Sequence, residues 1–356
     1  MSDDIYVKLR DKLNQLGVGF APTEAGYEFT FLKRFFTPED AEYFLEMNDD
    51  FQTPAEFAAQ TGKDIDVVTK KLKDMSKRGL IFRLRRNEEV SYHIIPVAHG
   101  VYEFNVDKLD PGWMTDFNNH MGAGWGPQFY GTDTPLFRTI PVNSSIVAES
   151  KILPIDDAES IIRSKKYFAV SPCCCRLAAR MGETSCTHTL ETCMVFDDFA
   201  KYYVENGIAR EISMDEALQI ARSGEKDGRI TQIYNSKNVE VMCSCCSCCC
   251  GILALAKALP GPANEVISNY YCQVDESLCA EGCADICVGR CPFNARQIID
   301  GNLQFDQRKC AGCGLCVTAC PTKALSLIRK DDEHIYEPPD TYFDTNKAME
   351  RYRNKI

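Results

Sequence analysis

The sequence lacks the segments that direct a chain into a membrane or out of the cell. Its first residues, MSDDIYVKLR, contain neither the basic segment nor the apolar run of a signal peptide. The longest apolar stretch, Gly251 to Leu259, is interrupted by Lys257 and is far shorter than the ~20 residues that cross a bilayer. We therefore expect a cytoplasmic protein with no membrane insertion.

Positive charge is also scarce. The chain has 40 Lys and Arg against 51 Asp and Glu, a net charge of −11. Because phosphate binding requires clustered Lys and Arg, this balance argues against general nucleic-acid affinity. An acidic surface suits a soluble redox partner protein.

Cysteine is absent before Cys173, and all 20 cysteines lie between Cys173 and Cys320. Disulfides persist in oxidising compartments, whereas a cysteine-rich chain without an export signal more plausibly uses its thiolates as metal ligands. The sequence therefore indicates a metal-binding protein with a cysteine-free first part.

That first part, residues 1–95, predicts a winged helix-turn-helix. Thr37-Pro-Glu-Asp and Thr53-Pro-Ala-Glu each combine an N-cap Thr, a Pro at the first helical position and an acid three residues after the cap, which is typical of a helix start. Apolar residues recur at helical spacing from Asp64 to Arg78 and predict a third helix. Two strand-like segments around Arg86-Asn-Glu-Glu then predict a hairpin.

The strongest motif is the run Cys310-Ala-Gly-Cys313-Gly-Leu-Cys316-Val-Thr-Ala-Cys320-Pro321, with the spacing C-x2-C-x2-C-x3-C-P. Such spacing lets one tight loop wrap three thiolates around a cluster. A structural zinc site is the alternative, but zinc needs four ligands without the terminal Cys-Pro. A partner run contains Cys279, Cys283, Cys287 and Cys291-Pro292, with three residues instead of two in its first two gaps.

Together the two runs resemble the bacterial ferredoxins that hold two [4Fe-4S] clusters. The resemblance covers about 60 residues and implies one-electron transfer. It also implies two ligand sets. One is Cys310, Cys313, Cys316 and Cys291, and the other is Cys279, Cys283, Cys287 and Cys320. The longer gaps of the partner run imply a bulged loop.

Eleven further cysteines form two dense groups, from Cys173 to Cys193 and from Cys243 to Cys250, while Cys272 stands alone. Because adjacent side chains diverge, we expect at least two sites or one enlarged cluster. We predict that both groups converge on one or more additional iron–sulfur clusters. Zinc and buried free thiols are the alternatives. The predicted ligands are Cys175, Cys186, Cys193, Cys245, Cys246, Cys248 and Cys249.

Two residues beside these groups have alternative roles. Arg176 either stabilises an anionic cluster through hydrogen bonds or forms a surface salt bridge. His188 either binds a cluster or lies in a loop as an ordinary polar residue.

We therefore predict an α+β multidomain chain. Its parts are a winged-helix-like domain at 1–95, a Gly/Pro/aromatic linker at 96–150, a small cysteine-rich α/β domain at 151–268, a two-[4Fe-4S] ferredoxin domain at 269–330 and a tail at 331–356. We expect the linker to be a long loop whose Trp113 and Trp125 pack against the cluster domains. The whole layout resembles proteins of anaerobes that join a winged helix to a 4Fe-4S ferredoxin domain, which implies redox work.

Three functions are compatible with these observations. The first is an electron-transfer protein, a subunit or partner of an anaerobic oxidoreductase with redox protein partners. The second is a low-potential reductase with a catalytic cluster in the cysteine-rich domain, so enzyme activity is left open. The third is a redox-sensing regulator that binds DNA. Residues 54–95 carry nine Lys or Arg against six Asp or Glu, but Asp64, Asp66 and Asp74 share the would-be recognition helix. We favour a winged helix that docks protein, including a homodimer, over DNA binding.

Overall fold

The computed structural model describes residues 2–130, 132–146, 152–182, 186–259, 267–280, 282–300 and 302–353. Helices and sheets are mixed along these ranges, and no helix within them is long and apolar enough to cross a membrane. The first part of the chain is helical. Its helices are α1 (Ser2–Gln15), α2 (Tyr27–Phe35), α3 (Pro38–Glu46), α4 (Pro54–Thr61) and α5 (Ile65–Lys77).

Both helix starts predicted from the Thr-Pro motifs are confirmed. Thr37 Oγ1 accepts a hydrogen bond from the Asp40 amide at 3.2 Å, and Asp40 Oδ2 accepts one from the Thr37 amide at 2.8 Å. Thr53 and Glu56 repeat this arrangement at 3.3 and 2.7 Å. Each pair satisfies amides that the first turn of a helix leaves without partners, so α3 and α4 begin where the local sequence dictates.

The predicted third helix and hairpin are also present. Helix α5 buries Val68, Leu72 and Met75. Strands β1 (Ile81–Arg86) and β2 (Glu89–Ile94) pair antiparallel, with Ile81 opposite Ile94. The order of helices and hairpin is as predicted, while its assignment to the winged-helix class stays a prediction.

The segment predicted as a long loop, 96–150, contains regular structure. Asp110 Oδ1 accepts a hydrogen bond from the Trp113 amide at 2.8 Å, and Pro111 stands at the start of helix α6 (Pro111–His120). Strand β3 (Phe137–Ile140) follows and joins the central sheet. The loop prediction was wrong because four residues show no clear alternation, so the pairing of β3 depends on tertiary contacts.

The two tryptophans of this segment contact the N-terminal part of the chain, which corrects the expectation that they pack against the cluster domains. The Trp113 ring lies 4.7 Å from that of Phe35. The Trp125 ring lies 5.1 Å from that of Phe20, and its Nε1 donates to the Gly19 carbonyl at 2.8 Å. The chain before α2 thus supplies the acceptor for the buried indole N–H of Trp125.

The centre of the molecule is a six-stranded sheet in the order β3-β7-β8-β5-β4-β6, and every neighbouring pair is antiparallel. The elements in chain order are α7 (Ala158–Ser164), β4 (Phe168–Pro172), α8 (Cys174–Met181), β5 (Glu191–Phe196), α9 (Asp197–Glu205), β6 (Arg210–Glu211), α10 (Met214–Lys226), β7 (Ile230–Tyr234), β8 (Val241–Cys245) and α11 (Gly251–Lys257).

The N-terminal hairpin packs on helix α9 of this sheet domain. Tyr202 Oη donates to the Ile81 carbonyl at 3.0 Å. The rings of Phe82 and Phe199 stack with centroids 4.6 Å apart. The hairpin and the cysteine-rich part therefore share one hydrophobic core.

The last third of the described chain forms two small antiparallel sheets, β9 with β12 and β10 with β11. Its elements are β9 (Tyr270–Val274), α12 (Ala284–Arg290), β10 (Arg296–Ile299), β11 (Asn302–Phe305), α13 (Leu315–Ala319) and β12 (Leu325–Arg329). This unit docks on the central sheet domain. The Val142 amide donates to the Cys313 carbonyl at 3.0 Å, and Arg290 Nη2 donates to the Glu225 carbonyl at 2.8 Å.

The segment predicted as a tail ends in helix α14 (Tyr342–Arg353), which is part of the core. Tyr342 is fully buried and its Oη donates to the His99 carbonyl. Thr345 Oγ1 donates to the Asn235 carbonyl at 2.6 Å. The last helix thus anchors the chain around His99 and the end of β7.

Candidate metal centres

Nine cysteines surround a cavity at one end of the central sheet. Strand β4 leads to Cys173, the N-cap of α8, and β8 ends at Cys245. Pairing of β5 with β8 places Cys193 opposite Cys243. This cavity, here called the thiol cavity, has a volume of about 80 Å³. Its cysteines are Cys173, Cys174, Cys175, Cys193, Cys243, Cys245, Cys246, Cys249 and Cys250.

Four cysteines on one side of the cavity form a compact donor set, here called the four-thiol site. The Sγ atoms of Cys186, Cys246, Cys248 and Cys249 all lie within 4.8 Å of one another. Cys246 Sγ is 2.9 Å from that of Cys249 and 3.7 Å from that of Cys186. Four thiolates are the ligand set of structural zinc and of [4Fe-4S] clusters, and sulfurs this close together have the spacing of ligands around a single metal ion.

Each of the seven cysteines predicted as additional ligands lies at one of these two places. Their assignment as ligands stays a prediction. The prediction omitted four cysteines of the thiol cavity, namely Cys173, Cys174, Cys243 and Cys250. Cys173 is extended whereas Cys174 begins a helix, and this change of backbone conformation lets consecutive thiols face one cavity.

Arg176 lies in the wall of the thiol cavity and is fully buried, so the surface salt bridge considered for it was wrong. Its guanidinium donates to the Thr189 carbonyl at 2.8 Å and to the Ser244 carbonyl. The contact with Cys249, and then Arg176 itself, lowers the pKa of Cys246 to about 4. The buried cation therefore favours the thiolate, which is the metal-binding form of cysteine.

Two further polar residues, His99 and Glu103, line the thiol cavity. Burial lowers the pKa of His99 to about 4, which leaves the ring neutral, and raises that of Glu103 to about 8. Glu103 Oε2 accepts a hydrogen bond from the Gly100 amide at 2.7 Å. The sequence analysis missed both residues because they lie in the segment that it interpreted as a loop, and no motif marks them.

His188 is not among the residues that line the thiol cavity in the described part of the chain. Arg180 donates to the carbonyls of Cys186 and His188, at 3.0 and 2.7 Å. These bonds hold the segment that carries Cys186 against α8. The position of His188 thus favours the loop role over cluster binding.

A second cavity, here called the ferredoxin cavity, lies in the C-terminal unit. Among its lining residues are Cys291, Cys310, Cys313 and Cys316, which is one of the ligand sets implied by the ferredoxin resemblance. Two amides donate to these sulfurs. The Ala295 amide is 3.3 Å from Cys291 Sγ, and the Cys272 amide is 3.4 Å from Cys310 Sγ. Such hydrogen bonds tune the reduction potential of a bound cluster.

The other implied set is Cys279, Cys283, Cys287 and Cys320. Desolvation, and after it the thiols of Cys283 and of Cys320 from the other run, raise the pKa of Cys279. Cys287 is buried in helix α12. Residue 281, within the bulged loop, lies outside the described residues.

Cys272, isolated in the sequence, is a fifth thiol of the ferredoxin cavity. Its Sγ accepts a hydrogen bond from Arg296 Nη2 at 3.1 Å and lies 3.6 Å from Cys316 Sγ. Arg296 is buried, with its guanidinium 4.5 Å from the ring centre of Phe305. Contact with Cys272, and then Arg296, lowers the pKa of Cys316 to about 6. A buried guanidinium is therefore available to balance the negative charge of a thiolate-bound cluster.

Residues 303–326 match the family model described as a 4Fe-4S binding domain. The C-terminal unit is thus a 4Fe-4S ferredoxin domain, and an iron–sulfur electron-transfer function fits it. The cysteine-rich region adds further donors for cluster binding.

Curated proteins with similar sequence are subunits of redox complexes. One is a subunit of the ion-translocating oxidoreductase complex of Methanosarcina acetivorans, 37% identical over 54 residues, 15% of this chain and 20% of that protein. Another is a subunit of the Na(+)-translocating ferredoxin:NAD(+) oxidoreductase complex of Acetobacterium woodii, 36% identical over 81 residues, 19% of this chain and 24% of that protein. The thiosulfate reductase electron transfer subunit PhsB of Salmonella typhi is 38% identical over 84 residues, 21% of this chain and 43% of that protein.

The matches thus span less than half the length of each of these relatives. No solved structure matches the chain.

Proposed function

We propose that this chain is an iron–sulfur electron-transfer protein that relays electrons between a cysteine-rich metal centre and two [4Fe-4S] clusters. The thiol cavity and the four-thiol site hold one or more additional iron–sulfur clusters, with zinc as the alternative at the four-thiol site. In the ferredoxin domain, Cys291, Cys310, Cys313 and Cys316 hold one cluster, and Cys279, Cys283, Cys287 and Cys320 hold the other.

The observation that carries this proposal is a buried apolar cluster shared by the two halves. It contains Cys245 and Cys250 from the thiol cavity together with Cys313 from the ferredoxin cavity. Leu253 and Leu315 pack in the same cluster. This shared packing brings the two cavities next to each other, and electron transfer between two centres requires that they be close.

Charge supports the same proposal. A thiolate-bound cluster is an anion, and burying an anion is costly unless a cation accompanies it. Arg176 at the thiol cavity and Arg296 at the ferredoxin cavity are buried cations beside cysteine sulfurs. Each half of the relay thus has its own compensating charge.

The partners in this proposal are other redox proteins. Each of the relatives named above is a subunit of a redox complex. We infer that this chain is likewise a subunit or partner of an oxidoreductase, working in the cytoplasm of an anaerobe.

Metal and sulfide analysis of protein purified without oxygen tests the proposal. We expect about twelve or more irons per chain, of which about eight belong to the ferredoxin domain. A redox titration followed by electron paramagnetic resonance should show a signal unlike that of the ferredoxin pair. A double variant, Cys245→Ser with Cys250→Ser, should lose that signal and keep the ferredoxin signals. About eight irons with no further signal would refute the relay.

A second candidate function, a low-potential reductase, is favoured by an apolar chamber that adjoins the thiol cavity. The chamber has a volume of about 530 Å³ and shares Glu103, Cys174 and Cys249 with the thiol cavity. Met114, Phe117, Met121, Phe129 and Leu255 give it a largely apolar lining. Apolar pockets of this size with a few polar groups are typical of small-molecule sites. Oxidation of the reduced protein by small apolar acceptors tests this function, and a chamber variant, Phe117→Trp, should slow it.

Residues 1–95 in this proposal form a winged helix that packs on protein and does not bind DNA. Two of its arginines form ion pairs with acids of the same chain. Arg78 contacts Asp40 at 2.6 Å, and Arg83 contacts Glu205 at 2.7 Å. Titration of duplex DNA at low salt should therefore show no binding, because phosphate contacts would make affinity strongest there.

The same winged helix is the proposed homodimer contact. Helix α5 exposes Val67, whose surface is 55% accessible, and Ile65, whose surface is 43% accessible. Exposed apolar side chains at the start of a helix are candidates for a protein contact. Light scattering should give twice the chain mass for the wild type and the chain mass for Val67→Lys.

A further inference from the structure

His99 differs from the other buried histidines in having no partner for its ring. The residue is 2% exposed, and neither Nδ1 nor Nε2 has a hydrogen-bond partner within the described residues. In contrast, His93 Nε2 lies 3.0 Å from the Asp49 carbonyl, and His120 Nε2 lies 2.7 Å from the Ala21 carbonyl. A buried polar group without a partner requires an explanation, and a bound ion is one such explanation.

Two aromatic rings and the thiol cavity border the His99 ring. The rings of Phe137 and Tyr234 stand at steep angles to it, with centroids 6.2 and 6.0 Å away. The third neighbour is the thiol cavity, whose lining includes His99 and Cys243. The unpartnered imidazole is thus confined between aromatic rings and a set of thiols.

The backbone around His99 is held firmly, so this placement is built into the fold. Tyr342 of α14 donates its hydroxyl hydrogen bond to the His99 carbonyl. The next amide, of Gly100, donates to Glu103 Oε2 at 2.7 Å. A ligand is effective when its supporting groups are fixed in this way.

We propose that His99 is a nitrogen ligand of the metal centre held by the thiol cavity. Imidazole nitrogen binds iron and zinc, and histidine replaces cysteine at some iron–sulfur centres. This inference rests on the proposed function, because it requires a metal centre in that cavity. It adds a non-cysteine ligand from a segment outside both cysteine groups.

A neutral imidazole in place of a thiolate leaves the centre with one negative charge fewer. Histidine ligation raises the reduction potential of iron–sulfur centres for this reason. The centre of the thiol cavity should therefore have a higher midpoint than an all-cysteine version of itself. His99→Cys supplies that comparison with a side chain that can still bind the metal.

Pulsed electron paramagnetic resonance on protein labelled with ¹⁵N-histidine tests the ligand directly. The sample is the full chain purified without oxygen, poised in the paramagnetic state of the signal outside the ferredoxin pair. A centre that takes up one electron is paramagnetic in one of its two oxidation states. We expect a nitrogen coupling that changes with the label, disappears in His99→Cys and persists in the matched control His120→Asn.

The outcomes separate this inference from the proposed function. A signal outside the ferredoxin pair with no histidine coupling, or a coupling that survives in His99→Cys, would overturn the ligand and leave the relay intact. Absence of any such signal, with about eight irons per chain, would overturn both. The His99→Cys midpoint should be more negative than that of the wild type, and a midpoint that is unchanged or higher would also refute ligation. If His99→Cys does not fold, the ¹⁵N-histidine experiment on the wild-type chain decides whether a histidine nitrogen binds the centre.

Discussion

Replacement of Arg296 by Met should lower the midpoint potential of the cluster proposed for the ferredoxin cavity. Arg296 is buried and donates to Cys272 Sγ at 3.1 Å, beside Cys316. A hydrogen bond to a charged group contributes about 1.5–3 kcal/mol. Reduction adds one negative charge to the cluster, so part of the energy of this hydrogen bond depends on the oxidation state. We assign about 1.4 kcal/mol to that part. For one electron that corresponds to a fall of about 60 mV.

A redox titration followed by electron paramagnetic resonance measures this shift. Arg308→Met is the matched control, since it removes a cation from the same domain. The Arg308 side chain is 78% exposed and pairs with Asp306 at 3.0 Å, so solvent screens its charge. We expect almost no shift in the control. Equal shifts in the two variants, or a higher midpoint in Arg296→Met, would refute a local effect of the buried guanidinium.

Three further predictions concern stability and metal content. Arg138→Ala breaks the buried pair with Asp156 and should lower the free energy of unfolding by about 3–5 kcal/mol in urea titrations. Arg210→Ala, at an exposed pair, should change it by less than about 1 kcal/mol, and equal losses would contradict the burial argument. Burial by itself would raise the pKa of Asp40. The hydrogen bonds from Arg78 and Lys71 have the larger combined effect and lower this pKa to about 2. Since this is below the unfolded value of about 4, the stabilisation is present above pH ~4 and is lost as the pH falls towards 2. Melting temperatures across that range should fall less steeply for Asp40→Asn, and an unchanged slope would exclude this linkage. Elemental analysis should show that Cys248→Ser loses one zinc or about four irons, because Cys248 belongs to the four-thiol site. Cys272→Ser should keep the full metal content, because Cys272 is outside both proposed ferredoxin ligand sets. Iron loss from Cys272→Ser would show that those sets are wrong.

Local patterns were sufficient wherever the physical cause is local. The capping pairs at Thr37 and Thr53 act within four residues, and both helices begin there. The C-x2-C-x2-C-x3-C-P run acts within one loop and a short helix, and residues 303–326 match a 4Fe-4S binding domain. In each case the interacting groups are close along the chain, so sequence spacing already implies spatial distance.

Patterns failed where a short element depends on distant partners. Strand β3 has four residues, and its place in the sheet comes from pairing with β7, about 95 residues later. Helix α14 looks polar, yet Tyr342 and Thr345 bind carbonyls of His99 and Asn235. No local sequence pattern predicts those contacts.

The cysteines illustrate both local sequence patterns and contacts between residues far apart in the chain. Their number, spacing and absence before Cys173 determined by themselves that the chain binds metal and contains a ferredoxin domain, because ligand type and loop spacing are chemical properties of the sequence. Only the tertiary structure decided which thiols of the two dense groups share a cavity, and that His99, Arg176 and Glu103 line it. Those residues come from strands, helix starts and a connecting segment far apart in the chain, and only the pairing of the sheet brings them together.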